Sequence, residues 1–257
     1  MSPFAVVLVL STGSFLLGLL ASVATLRSRF LAARRIQRRP RAHDVLREHL
    51  PLILLNFGLV ELGVILGFPT LEERFLVDTD RSLAWVAAQF LVVYLLDDLY
   101  QYWAHRAMHE VKPIFRLVHR IHHRAKEPFP LDYLYVHPLE NAIGSLGVVL
   151  VMLVMGPLEV RTFYLWVLAK NLHLAVLHSG IRSSGFRLVP FLSHSEHHER
   201  HHSGPGFRCN YAQNFTYLDR LFGTDDPASR RSSVLGSLRR SAIRRLRALA
   251  PSMERRA

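Results

Sequence analysis

Long apolar runs separated by short polar blocks set the frame of this chain. Pro3–Leu26 carries no charge and is long enough to cross about 30 Å of hydrocarbon as a helix. Its N-terminus lacks the basic residues of a signal peptide, and a dense arginine block comes next, so the run reads as a retained anchor rather than a cleaved leader. Leu50–Phe68 is a second run, interrupted by Glu61 and closed by Pro69. Leu83–Leu96 is a third, short by itself, which helical periodicity continues through Asp97–His109. There Asp98, Tyr102, His105 and His109 recur at i, i+4, i+7 and i+11, one stripe of a single helix. Ala142–Met155 and Thr162–Leu177, parted by Gly156-Pro157, predict a tilted or re-entrant hairpin that enters the bilayer and returns.

Charge orients these runs. The formal net charge is +12, and every basic side chain except Lys112, Lys126 and Lys170 is arginine. The arginines from Arg27 to Arg47 mark the cytoplasmic side, and the acidic loop Pro69–Ser82 fits the opposite one. The arginine-rich tail reads as an orientation signal or an anionic-lipid contact, with no nucleic-acid partner. The expected fold is all-α: an integral membrane bundle of about four membrane-crossing helices or hairpins, capped by a cytoplasmic, histidine-rich helical domain for two metals. Three segments are expected. Residues 1–82 are N-terminal membrane helices with a basic linker, 83–224 a catalytic domain, and 225–257 a basic tail. In a bacterium this places the protein in the inner membrane.

Histidine then changes the picture. Of 15 histidines, 13 lie between His105 and His202. They fall in HRAMH (His105, His109), HRIHH (His119, His122, His123), HP (His137), HSG (His178) and HSEHHERHH (His194 to His202). Residues three and four apart share a helix face, so each group is expected to aim its imidazoles at one point. Imidazole suits zinc, copper, iron and nickel. The sole cysteine, Cys209, excludes a thiolate cluster and an internal disulfide. Nine histidines sit at helical spacings or beside such a group, and with His137 the count reaches ten. Ten is too many for one ion and enough for two, at about five each with one position left open. A structural zinc site would be closed with four ligands, so an open, nitrogen-rich pair points to redox iron. Paired Glu-x-x-His motifs of the carboxylate di-iron bundles do not occur.

HRAMH, HRIHH, the HPLE at His137–Glu140, HHERHH and NYAQNFTYLDRLFGT (Asn210–Thr224) together resemble the fatty acid hydroxylase / sterol desaturase superfamily. The likeness covers roughly Leu83–Thr224, and its last part, from His178 on, is nearest in pattern to the C-4 methyl sterol oxidase branch. The resemblance implies an integral membrane di-iron oxygenase that uses O2 and an external electron donor to hydroxylate or desaturate a membrane lipid. Its metal ligands, carried over by position, are His105, His109, His119, His122, His123, His178, His198, His201 and His202, with His137 as a tenth candidate that only part of the superfamily shares. The implied partners are that lipid and an electron-transfer protein of the cytochrome b5 or ferredoxin/reductase kind. No flavin or dinucleotide fingerprint occurs in the chain itself. The stretch from His202 to Asn210 is longer than in the eukaryotic methyl sterol oxidases, so the substrate is not carried over.

Metal-bound imidazoles need an acceptor on the other ring nitrogen. Asp98, Glu140, His194, His197 and Asn210 are the candidates for such supporting contacts, Asp98 for the stripe of His105 and His109, and Glu140 for His137. Asn210, Asp219 and Arg220 are expected to lock the fold, and His173 to face away from His178. His43 and His49 are expected in water or lipid, and Trp85, Trp103 and Trp166 at the membrane interface. Two rival classes stay open. A two-zinc membrane hydrolase would work without O2, and a metal transporter would need polar residues inside the spans.

Overall fold

The computed structural model describes residues 1–37, 44–182, 192–203 and 207–226. Four long helices carry the bundle: α1 (Pro3–Arg27), α3 (Val45–Phe75), α4 (Leu83–Glu110) and α6 (Pro138–Met155), with the short α2 (Arg29–Ala32) after the first. Each of the four is long and apolar enough to cross a membrane. They make the chain a multi-pass membrane protein. A fifth helix, α7 (Val160–Leu177), packs against α1 and α4 and falls outside that set, since Arg161 and Lys170 lower its hydropathy.

The remaining elements are short. They are α5 (Lys112–Ile114), a π turn (Phe115–His119), 3₁₀ turns at His122–Arg124 and Pro130–Leu134, α8 (Ser195–His202) and α9 (Tyr217–Leu221). Among the described residues the only strands are β1 (Leu76–Val77) and β2 (Leu158–Glu159), a parallel two-residue pair. They join the start of α4 to the end of α6, at the end of the bundle away from the histidines. The molecule is therefore all-α in substance.

Local sequence explains most boundaries. Ser2 and Ser82 cap α1 and α4 through hydroxyl oxygens that accept the N–H groups of Ala5 and Trp85. Gly156 sits at φ 71°, a left-handed conformation that ends α6 and that glycine adopts at no steric cost. Gly147 is required by closeness of another kind: a Cβ there would come within 2.6 Å of the Tyr100 ring, so α4 and α6 cross over a glycine. Pro69 does not close the second span, because α3 continues through it to Phe75. Proline inside a membrane helix is tolerated where neighbours re-satisfy the freed backbone group.

One apolar core, with Val7, Phe68, Val93, Met152, Phe163 and Trp166, joins the five long helices. A second, with Phe15, Ile53, Phe129 and Leu131, ties α1 and α3 to the turn at Pro130–Leu134. Trp166 is thus a core residue rather than an interfacial one, whereas Trp85 and Trp103 are exposed. Its indole N–H donates to Asp97, 3.3 Å away. Asp97 itself is fully buried, taking Lys170 at 2.7 Å and Gln101 at 3.2 Å. A buried carboxylate persists only when paired and hydrogen-bonded, and here it is both.

Candidate metal centre

The histidines converge where α4 ends. The helix brings His105 and His109 to one face, and the chain then turns back through the π turn, which brings His119 and His123 to the same place. A π turn inserts one extra residue per turn and so rotates the residues after it. From the other side α8 supplies His201. These five, His105, His109, His119, His123 and His201, offer ring nitrogens that all lie within 4.8 Å of one another. A second set, His122, His178, His198 and His202, meets the same criterion. The two pockets adjoin, with the rings of His123 and His202 centred 4.7 Å apart.

Each HxxHH group is divided between the pockets. His119 and His123 enter the five-histidine pocket and His122 the other, while His198 and His202 enter the four-histidine pocket and His201 the first. The expectation that each group converges on one point therefore fails. Residues i and i+4 share a face, and the middle histidine, one position earlier than the last, is turned about 100° away from it. Two such motifs set against each other exchange one ligand.

Within the pockets it is Nε2 that faces Nε2. The His109–His119, His119–His123 and His109–His123 distances are 2.8, 3.0 and 3.1 Å. In the other pocket His178–His198, His198–His202 and His122–His178 are 2.9, 3.1 and 3.3 Å. The outer nitrogens decide what these contacts are. Nδ1 of His105 faces the Tyr211 carbonyl at 2.7 Å, His119 the Glu140 carboxylate at 2.8 Å and His201 the Cys209 carbonyl at 2.7 Å. His122 and His178 face the carbonyls of Tyr135 (3.4 Å) and Leu174 (2.8 Å). An oxygen acceptor fixes the proton on Nδ1. The Nε2 atoms then carry lone pairs, and lone pairs do not bond to one another. They suit a cation: imidazole nitrogens about 2.1 Å from one ion at right angles stand about 3 Å apart. The residues present fit a metal ion in each pocket.

Electrostatics agrees. Burial first, and the neighbouring histidines second, hold the rings of His119, His122, His123, His198 and His202 well below the ordinary 6.5, and burial with His105 and His109 does the same for His201. All six rings are neutral at neutral pH, as a metal ligand would need to be. Phe115, Phe207 and Tyr211 wall the five-histidine pocket, with ring centres 5.4 Å from His109, 4.9 Å from His123 and 5.3 Å from His109.

Nine of the ten candidate ligands are brought together, and His137 is not. Its Nδ1 accepts the N–H of Leu139 at 3.1 Å, so it caps α6. His173 lies outside both pockets, with Nε2 3.2 Å from the Gln213 carbonyl. The supporting residues differ in partner from those expected. Glu140 holds His119 and not His137. Asp98 touches no histidine. It is buried and accepts the N–H groups of Asn214 (2.9 Å) and Phe215 (3.3 Å), which docks the loop whose Tyr211 carbonyl holds His105. Asp219 tightens the same loop through the N–H groups of Tyr211 and Ala212, at 2.9 and 3.1 Å.

His194 caps α8 by accepting the N–H of His197 at 3.2 Å, and His197 lies 3.4 Å from Asp219. Asn210, at φ 59°, donates to the His197 carbonyl at 3.1 Å and so steadies the start of α8. His43 lies outside the described residues. His49 is not in water or lipid: it is buried against Asp132 at 2.7 Å. Sequence reasoning missed that pair and Asn56. Their signal was two polar side chains, His49 and Asn56, seven residues apart and so on one face of α3.

Two adjoining cages of neutral imidazole at one end of a membrane helix bundle define a class, the histidine-rich membrane metalloproteins. The Fatty acid hydroxylase family profile matches residues 90–224, and the chain belongs to that family. It is 32% identical over 179 residues to Methylsterol monooxygenase 1 of Rattus norvegicus, covering 67% of this chain and 60% of the relative. It is 34% identical over 182 residues to Methylsterol monooxygenase erg25A of Aspergillus fumigatus, covering 68% and 56%. It is 31% identical over 167 residues to Very-long-chain aldehyde decarbonylase GL1-11 of Oryza sativa subsp. indica, covering 63% and 62%. The chain thus spans about three fifths of the length of the curated relatives it matches. No solved structure matches it significantly.

Proposed function

We propose that this protein is an O2-dependent two-iron hydroxylase or desaturase acting on a C–H bond of a membrane lipid. The observation that carries the reading is the pair of adjoining pockets, five imidazoles in one and four in the other, whose ring nitrogens within each set all lie within 4.8 Å of one another. Two irons bound there would supply the redox chemistry: O2, two electrons from an outside donor and two protons would convert R–H to R–OH and water, or a –CH2–CH2– unit to an alkene and two waters, the substrate itself giving up two electrons in either case. The printed names of the relatives span a methylsterol and a very-long-chain aldehyde, and what these share is a largely apolar body.

The chain's own residues hold, orient and exclude. His105, His109, His119, His123 and His201 hold one ion, and His122, His178, His198 and His202 the other. Glu140 and the carbonyls of Tyr211, Cys209, Tyr135 and Leu174 fix the tautomers. Phe115, Phe207 and Tyr211 keep water from the five-histidine side. The four-histidine pocket has one ligand fewer and is the natural place for an open position. The pockets lie at the membrane-helix ends, so a lipid reaches them from the bilayer. The arginine pattern supports the cytoplasmic face for them. With no flavin or dinucleotide fingerprint in the sequence, the electrons come from an outside protein of the cytochrome b5 or ferredoxin/reductase kind, as the family resemblance implies.

The deciding experiment is anaerobic. The purified protein with iron, reductant and a membrane-lipid extract should consume lipid only when O2 is admitted. Turnover in its absence, with zinc in the pockets, would make the protein a hydrolase instead.

A further inference from the structure

Residues 129–136 form a strap that carries the Tyr135 carbonyl to His122, and the strap is held from behind by helices that precede the matched residues 90–224. On α1, the buried Ser22 hydroxyl accepts the Leu131 N–H at 3.0 Å. Gly18 lies under the same residue, and a Cβ there would come within 2.8 Å of the Leu131 side chain. On α3, His49 donates from Nδ1 to Asp132 at 2.7 Å, and the other Asp132 oxygen accepts the Phe129 N–H at 3.0 Å. The His49 ring also lies flat on Tyr135, with centroids 3.8 Å apart and planes 11° apart. Seven residues on, Asn56 donates from one amide nitrogen to the carbonyls of Leu134 (3.0 Å) and Val136 (2.8 Å), which flank Tyr135.

Apolar packing alone would not call for this arrangement. A buried imidazole and carboxamide on a helix whose other face is apolar and exposed, with the strap carboxylate that takes the imidazole, carry a desolvation cost. What they add is direction, since they fix the peptide planes on both sides of Tyr135. That carbonyl makes the longest of the five outer contacts to the histidines, 3.4 Å, so its placement depends most on what holds the strap.

We propose that Ser22, His49 and Asn56 are positioning residues for the four-histidine pocket: they set the Tyr135 carbonyl so that His122 keeps its proton on Nδ1 and turns Nε2 inward. The proposal rests on the two-ion reading of the pockets. The five-histidine pocket does not need them, because its outer partners are Tyr211, Glu140 and Cys209. Asn141 beside Glu140 does lean on Asn56, but on its main-chain carbonyl at 3.1 Å, which a side-chain change leaves in place.

The test uses the full chain in detergent, stripped of metal and titrated with cobalt(II), whose absorption bands report each pocket. His178→Ala and His201→Ala identify which bands belong to the four- and five-histidine pockets. Asn56→Leu and His49→Leu should weaken cobalt binding at the four-histidine pocket about tenfold or more and leave the other bands unchanged. His49→Asn, which keeps a donor near the position of Nδ1, should restore most of the loss. The unchanged pocket serves as the internal measure of folding. Equal weakening of both pockets, or no weakening of either, overturns the proposal alone. Wild-type protein that takes up fewer than two ions overturns the two-ion reading and the proposal with it.

Discussion

The five-histidine pocket takes four of its histidines from one short stretch, His105 to His123, whereas the four-histidine pocket gathers His122, His178, His198 and His202 from three distant places. In the first, a carboxylate and two carbonyls hold the outer nitrogens; in the second, two carbonyls do. The first is therefore largely local, the product of one helix and the turn after it. The second exists only when α7, α8 and the strap have all docked, and it must bear the chain entropy of closing long loops. The same side chain serves both, and the cost of presenting it differs.

The largest effects should separate the pockets by ligand count. His178→Ala leaves three ligands in the four-histidine pocket, so metal analysis should find one ion per chain and product should fall to background. His201→Ala leaves four in the other, and that ion should be retained with weaker affinity. Equal losses would erase the distinction. Next, Glu140→Gln keeps a hydrogen-bond acceptor on His119 and removes its charge, so affinity at the five-histidine pocket alone should fall about tenfold in a chelator competition.

Acid should act on the stripped protein. Burial holds His119, His122, His123, His198, His201 and His202 well below 6.5, so the unfolded chain takes up protons that the folded one refuses. Their contribution to stability is complete above the unfolded value of 6.5 and declines as pH falls below it. The thermal midpoint without metal should therefore drop between about pH 7 and pH 5, and bound metal should oppose the drop. A midpoint flat across that range would show the rings to be solvated. The smallest effect belongs to His137→Ala, which should leave both ions in place and lose about 1 kcal/mol or less of helix-cap stability in denaturant unfolding.

Much of the fold and of the site is legible in the sequence. Periodicity draws α4 as one helix through His109, spacing picks out eight of the nine gathered histidines, and His178 enters through the family resemblance. What spacing conceals is the exchange of His122 and His201 between pockets, because i, i+3 and i+4 describe a face and not the number of points that face can serve. Carbonyl partners are hidden for a different reason. Those of Tyr135, Leu174, Cys209 and Tyr211 belong to the backbone, and side-chain identity says little about where a carbonyl will point. Asp98 sits on the right stripe, but its contacts lie with the loop at Asn214 and Phe215, over a hundred positions away in the chain. His49 reads as a bystander because its partner, Asp132, comes from a segment with no periodicity of its own.

α4 runs without a break from Leu83 to Glu110, a rod of about 42 Å. One end sits among apolar neighbours suited to hydrocarbon, and the other carries His105 and His109. Such a rod is also a lever. A span longer than the local bilayer accommodates by tilting, and tilt at one end displaces both imidazoles together at the other, since they occupy one face. A change of membrane thickness that tilts the rod would therefore reach the histidine pockets, which makes the surrounding lipid a mechanical participant.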